Sequence, residues 1–153
     1  MTKSRRLLEE IDQEWKARNL DRTSDLLDSL EILIKAEDPK WLQSNLKHAV
    51  RTYKGLVCLE QGQIEQAKHY LLKSLDFASS PQIHSFGPNF LLAEKLIEVG
   101  ETTAVLDYLD HVKGVWSLIF RWRKLRRWRK EIIHGIKPKF GANLYYHLGA
   151  KLT

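Results

Sequence analysis

GLVCLEQGQIEQAKHYLLKSL, residues 55–75, places small residues at Gly55 and Ala67, a glycine at 62, and bulky apolar side chains at Tyr70, Leu71 and Leu75. Gly62 ends one helical run, and the next starts at about Ile64. Small residues let two antiparallel helices approach closely, and the large ones fill the seam between them. That pattern builds a scaffold rather than a reaction centre.

Outward from this pair, apolar residues recur at spacings of three and four, and nothing alternates with period two over a useful length. The predicted fold class is all-α. Seven helices are expected. The first runs from about Ser4 to Arg18 and the second from about Thr23 to Ala36. The third is capped by Asp38-Pro39 and continues to about Gln61. The fourth spans about Ile64–Ala78. After the Ser79-Ser80-Pro81 loop come helices at about Pro88–Val99, Thr102–Val112 and Val115–His134. In Ser85-Phe86-Gly87-Pro88-Asn89, Phe86 reads as a hydrophobic staple and Pro88 as the first helical residue. No linker divides the chain, so residues 1–153 are read as one domain.

Gly62 and Gly100 each separate two helices and lie 38 positions apart, close to the ~34-residue period of a tetratricopeptide unit. Around Gly62 the small residues are Gly55 and Ala67; around Gly100, Ala93 takes the first role, with Leu92, Leu96 and Leu109 at further matching positions. On these residues the chain resembles tetratricopeptide repeats, in units of about 41–78 and 87–113. Ser85-Phe86-Gly87-Pro88-Asn89, Leu92-Ala93, Gly100, Val105-Leu106, Val115-Trp116, Trp128, Ile132, Gly135, Pro138 and Phe140-Gly141-Ala142-Asn143-Leu144 together look similar to a family of short bacterial tetratricopeptide-like proteins that brings no assigned activity. Lys139 stands where that resemblance expects an acidic residue. The resemblance implies helix pairs stacked as a short right-handed superhelix, structural roles for Trp116 and Trp128, and a tail that belongs to the fold. Such stacks hold a peptide or partner helix in a groove, so a non-catalytic protein-interaction scaffold is expected; the alternative is a bundle without a working groove.

The 153 residues comprise 43% hydrophobic and 29% charged positions, as in a soluble globular domain. The single Cys58 forms no internal disulfide, which fits a reducing compartment. The acidic residues Glu9, Glu10, Asp12 and Glu14 interrupt any signal-peptide core near the N-terminus, and a cytoplasmic location is expected. The net charge of +6 is concentrated late in the chain: residues 121–139 hold nine Lys or Arg against the single Glu131. The high isoelectric point therefore describes one segment.

That segment, WSLIFRWRKLRRWRK, is the sharpest local feature. At ~100° per residue, Val115, Leu118, Ile119, Trp122, Leu125, Ile132 and Ile133 share a face expected to pack on the preceding helices. Arg123, Lys124, Arg127 and Lys130 lie opposite, interleaved with Trp116 and Phe120; Arg126 and Arg129 fall toward the apolar face, where their stems can snorkel. The expected contact surface is Arg123, Lys124, Arg127 and Lys130, with Arg121, Trp116 and Phe120 beside them. Cations among aromatic rings suit an acidic protein surface, nucleic acid or an anionic membrane surface. The bland alternative is a capping helix with a solvated charged face. Asp107 and Asp110 are candidates to offset the charge internally.

Six scattered histidines form no metal-ligand pattern, Cys58 reads as a buried thiol, and no glycine loop cradles a phosphate. No catalytic residue, metal or cofactor is implied. The aromatic tail, residues 140–148, is expected either to pack over the stack, with a last turn near Asn143–Leu148, or to dock into a second copy and so form a homo-oligomer.

Overall fold

In the computed structural model, which describes residues 2–37, 39–77 and 79–149, the hairpin read from residues 55–75 is formed by α3 (Lys40–Glu60) and α4 (Ile64–Lys73). Gly62, at φ +76°, closes α3: the Gln63 N–H reaches Cys58 O at 2.8 Å and the Gly62 N–H reaches Leu59 O at 3.1 Å. This pair of bonds satisfies carbonyls left open at a helix end. Gly55 sits where the hairpin meets the next layer. A Cβ there would collide with Leu92 and come within 3.2 Å of Tyr70 Cβ, so the small residue sets the separation of the helices.

The same construction repeats along the chain. α1 (Lys3–Lys16) packs on α2 (Leu20–Ile34), and α6 (Leu91–Glu98) packs on α7 (Thr102–Val112). α2 packs on α3, and α3 and α4 both meet α6. All described regular elements are helical: eight α-helices and one 3-10 turn, Gly141–Leu144. One connected apolar core runs from Leu8 to Leu148. Burying each of its larger side chains is worth about 1.5–3 kcal/mol. Arg51 and Lys54 of α3 serve the helix ends and edges. Arg51 donates to the carbonyls of Lys73 and Asp76 at the end of α4, and Lys54 pairs with Asp28 and Glu31 of α2.

An additional helix, α5 (Pro81–Phe86), occupies the connection read as a loop. The Ser80 hydroxyl accepts the Ile83 N–H and Pro81 stands in the first turn, so its start is capped. The other departures lie at boundaries. α6 begins at Leu91 rather than Pro88, and the Asn89 side-chain oxygen accepts the Leu91 N–H. Pro88 is buried before the helix, and Phe86 is exposed against the Tyr146 ring rather than stapled into α6. α4 ends at Lys73; the expected cap at Asp38 and helix end at Ala78 fall outside the described residues.

A buried polar node fastens the tail to the stack. His48 of α3 donates from Nδ1 to Ser74 O at 2.9 Å and accepts the Asn89 N–H on Nε2 at 2.8 Å. A carbonyl on one nitrogen and an N–H on the other fix the neutral tautomer. Burial first, then the neighbouring His147, push its pKa down to about 3. The Asn89 side chain donates to Tyr146 O, Asn143 donates to the carbonyls of Phe86 and Pro88, and the ring of His147 donates to Gly87 O. The tail thus packs across its own helices, and its described end reaches α3, where the Gly149 N–H meets the Tyr53 hydroxyl.

Candidate docking surface

The last helix, α8 (Leu118–Ile133), buries side chains only from Leu125 onward. Leu125, Trp128 and Ile132 are buried at its root. Trp128 lies edge-on to Phe90 at 4.9 Å and to Phe140 at 5.0 Å between ring centroids, and Phe90 stacks on Phe140 at 5.0 Å. Aromatic pairs at such distances add about 0.5–1.5 kcal/mol each beyond their buried area. This cluster joins α6, α8 and the tail into one anchor.

The first two turns are different. No residue from Leu118 to Lys124 is buried. Leu118 is 62% exposed, Ile119 81%, Phe120 56% and Trp122 46%. Residues 118, 119 and 120 point in three directions ~100° apart around the helix, and all three directions are open. The sequence placed Leu118, Ile119, Trp122 and Ile133 against the preceding helices; the structure overturns that. These side chains do share one side of α8, but that side faces solvent. The apolar run Leu118-Ile119-Phe120 was the available signal, since three consecutive helical residues cannot all enter one seam.

Trp116 requires the opposite correction. The helical register placed it among the exposed contact residues, while the resemblance implied a structural role; it is 3% exposed. α8 starts two residues later, so the helical register drawn through Trp116 does not apply to it. Its indole donates to Ser85 O at 3.3 Å, and its ring covers Gly87. The Ser117 N–H donates to His84 O, which ties the start of α8 to the end of α5. Phe86, also exposed, lies on that same end.

The expected basic residues are brought together. Arg123, Lys124, Arg127 and Lys130 are exposed, and Arg126 joins them. Arg121 is half-buried, with its Nε donating to Trp116 O at 2.8 Å. Among the described residues, α8 has two acidic partners. Arg129 pairs with Asp110 of α7, and Arg127 meets Glu131 at 3.6 Å. Asp107 takes no part. Arg123, Lys124, Arg126 and Lys130 have no carboxylate within 4 Å among the described residues. Arg123 lies over the Trp122 ring at 5.4 Å and Lys124 over Trp116 at 5.8 Å, which orients both cations without neutralising them. Arg123 with Arg127, and Arg126 with Lys130, are like-charged i,i+4 pairs, each unfavourable by about 0.2–0.5 kcal/mol. An anionic surface would relieve that repulsion.

Among the described residues, other faces carry open clefts. One of about 180 Å³ between α2, α3 and α4 is lined by Ser24, Leu27, Asp28, Lys54, Cys58 and Tyr70, among others. Its lysine is already paired, and burial raises the pKa of the Cys58 thiol, which keeps it protonated. Among the described residues no three His, Cys, Asp or Glu side chains are grouped to hold a metal ion, and no helix is long and apolar enough to cross a membrane. No family model matches the chain, and neither a curated protein nor a solved structure is significantly similar to it.

Proposed function

We propose that the chain is a non-catalytic interaction scaffold. Its helix hairpins, read as a short tetratricopeptide-like superhelix, hold a protein partner, and α8 docks the assembly on an acidic surface. One observation carries this reading: the first turns of α8 present large apolar side chains to solvent, and along the helix stand four cations that no described carboxylate neutralises. A helix that merely capped the stack would bury its apolar residues along its whole length, as the root of α8 does. The open tryptophan and the neighbouring arginines combine desolvation area with charge, the mixture that hot spots favour.

Retention on immobilised polyaspartate tests the reading. The parent chain should bind at low salt and elute as salt rises. The variant Arg123→Gln/Lys124→Gln/Lys130→Gln should elute markedly earlier with its helical spectrum intact. Parent and variant passing through alike would remove α8 as a docking surface. Exposed Phe120 and Trp122 beside Arg123 also suit stacking on unpaired bases, so RNA is the second reading; a gel shift on random RNA lost in the same variant would favour it.

A further inference from the structure

We infer that the acidic surface met by α8 is an anionic lipid bilayer, entered by the first turn of the helix, Leu118 to Trp122. This rests on the reading of α8 as a docking surface and names what it docks on.

Shape argues first. Leu118, Ile119 and Phe120 surround the helix tip on three sides and all stand in solvent. A protein covering all three would have to supply a deep socket. The interface of a bilayer closes around a convex apolar tip of any outline. The tip can enter without disturbing the core, because none of its side chains is buried and the anchors lie outside it, Trp116 before it and Leu125, Trp128 and Ile132 after it.

Charge argues second. Immediately behind the tip come Arg123, Lys124 and Arg126, exposed and without a carboxylate within 4 Å among the described residues, with Lys130 one turn further. With the tip in the acyl boundary, these cations come level with lipid phosphates, and Trp122 lies where headgroups meet acyl chains, the interfacial depth that tryptophan favours. Like-charge repulsion along α8 then becomes an attraction shared over several anionic lipids. Arg127 and Arg129, with acidic partners of their own, are not required.

Two sets of substitutions separate the two components. Leu118→Ser/Ile119→Ser/Phe120→Ser removes the tip, and Arg123→Gln/Lys124→Gln/Lys130→Gln removes charge; all six side chains are exposed, and circular dichroism confirms that each variant folds. The probe is sedimentation with vesicles of equal parts phosphatidylcholine and phosphatidylglycerol, beside vesicles of phosphatidylcholine alone. The parent should sediment with the anionic vesicles and stay in solution with the neutral ones. The serine variant should bind more than about tenfold more weakly, and the glutamine variant about a hundredfold. Failure of the parent to sediment with anionic vesicles, or equal binding by the serine variant, overturns the proposal. If the parent ignores vesicles yet is retained on polyaspartate, the bilayer is wrong and the docking surface stands; retention by neither removes both.

Discussion

Replacing Gly87 with alanine should cost the fold about 2–5 kcal/mol, because two separate penalties meet at one Cβ. The residue has φ 82° and ψ 165°, a region essentially closed to residues with a side chain, and forcing alanine into it costs of order 1–3 kcal/mol. The new methyl would also lie 2.6 Å from the Trp116 ring atoms Cδ2 and Cε2. Trp116 has little room to retreat: it is buried, its indole is bonded to Ser85 O, and Trp128 lies 6.1 Å behind. Overpacking of this kind costs a further 1–3 kcal/mol or so. Reduced freedom of the unfolded chain returns about 0.4–1 kcal/mol. Gly62→Ala supplies the control, since its φ of +76° carries backbone strain while nothing lies within 4 Å of the added carbon; roughly 1 kcal/mol is expected. Urea unfolding followed by tryptophan emission reads both. With a slope of about 1–3 kcal/mol per molar urea, the Gly87→Ala midpoint should fall by about 0.7 M or more and at least twice as far as that of Gly62→Ala. Equal shifts would mean that Trp116 does not press on the α5–α6 turn, and the placement of the start of α8 would need another explanation.

The aromatic anchor should be costly to remove and the exposed first turns cheap: Trp128→Ala should lose about 3–5 kcal/mol in the same unfolding assay, whereas Trp122→Ala should stay within about 0.5 kcal/mol of the parent. Asn143→Ala leaves the carbonyls of Phe86 and Pro88 without their donor. It should cost about 1–3 kcal/mol and speed hydrogen exchange in the tail. Stability should also fall in mild acid. His48 is neutral in the fold, with its pKa depressed to about 3, while in the unfolded chain it protonates near the ordinary value of about 6.5. Its contribution is therefore complete above that value and declines toward pH 3, by up to about 1.4 kcal/mol per pH unit. Burial lowers the pKa of His147 as well, which adds to the slope. A urea midpoint unchanged between pH 7.5 and 5 would contradict a buried neutral His48.

Helix type and order were legible in the sequence because apolar spacing of three and four persists through α1–α4, and because Gly62 and Gly100 mark turns that a larger side chain resists. α5 was not, since six residues are too few to show a period, and its Ser80 cap resembles any polar loop. The basic residues of α8 were legible as an exposed cluster, because charge seeks water whatever the packing. The side taken by Trp116 was hidden, since it depends on where α8 starts. The exposure of Leu118, Ile119 and Trp122 was legible only in part: the run Leu118-Ile119-Phe120 showed that not all three could be buried, but not that all would be open. Periodicity tells which residues share a face but not whether a neighbouring element covers it.

The depth of Trp122 at an anionic bilayer tests the central claim most directly. Vesicles of phosphatidylcholine and phosphatidylglycerol with brominated acyl chains should quench the emission of the full chain, and Trp122→Phe should lose most of that quenching while still sedimenting with the vesicles. Quenching that is absent at saturating anionic lipid, or unchanged in Trp122→Phe, would show that the first turn of α8 is not what enters the membrane.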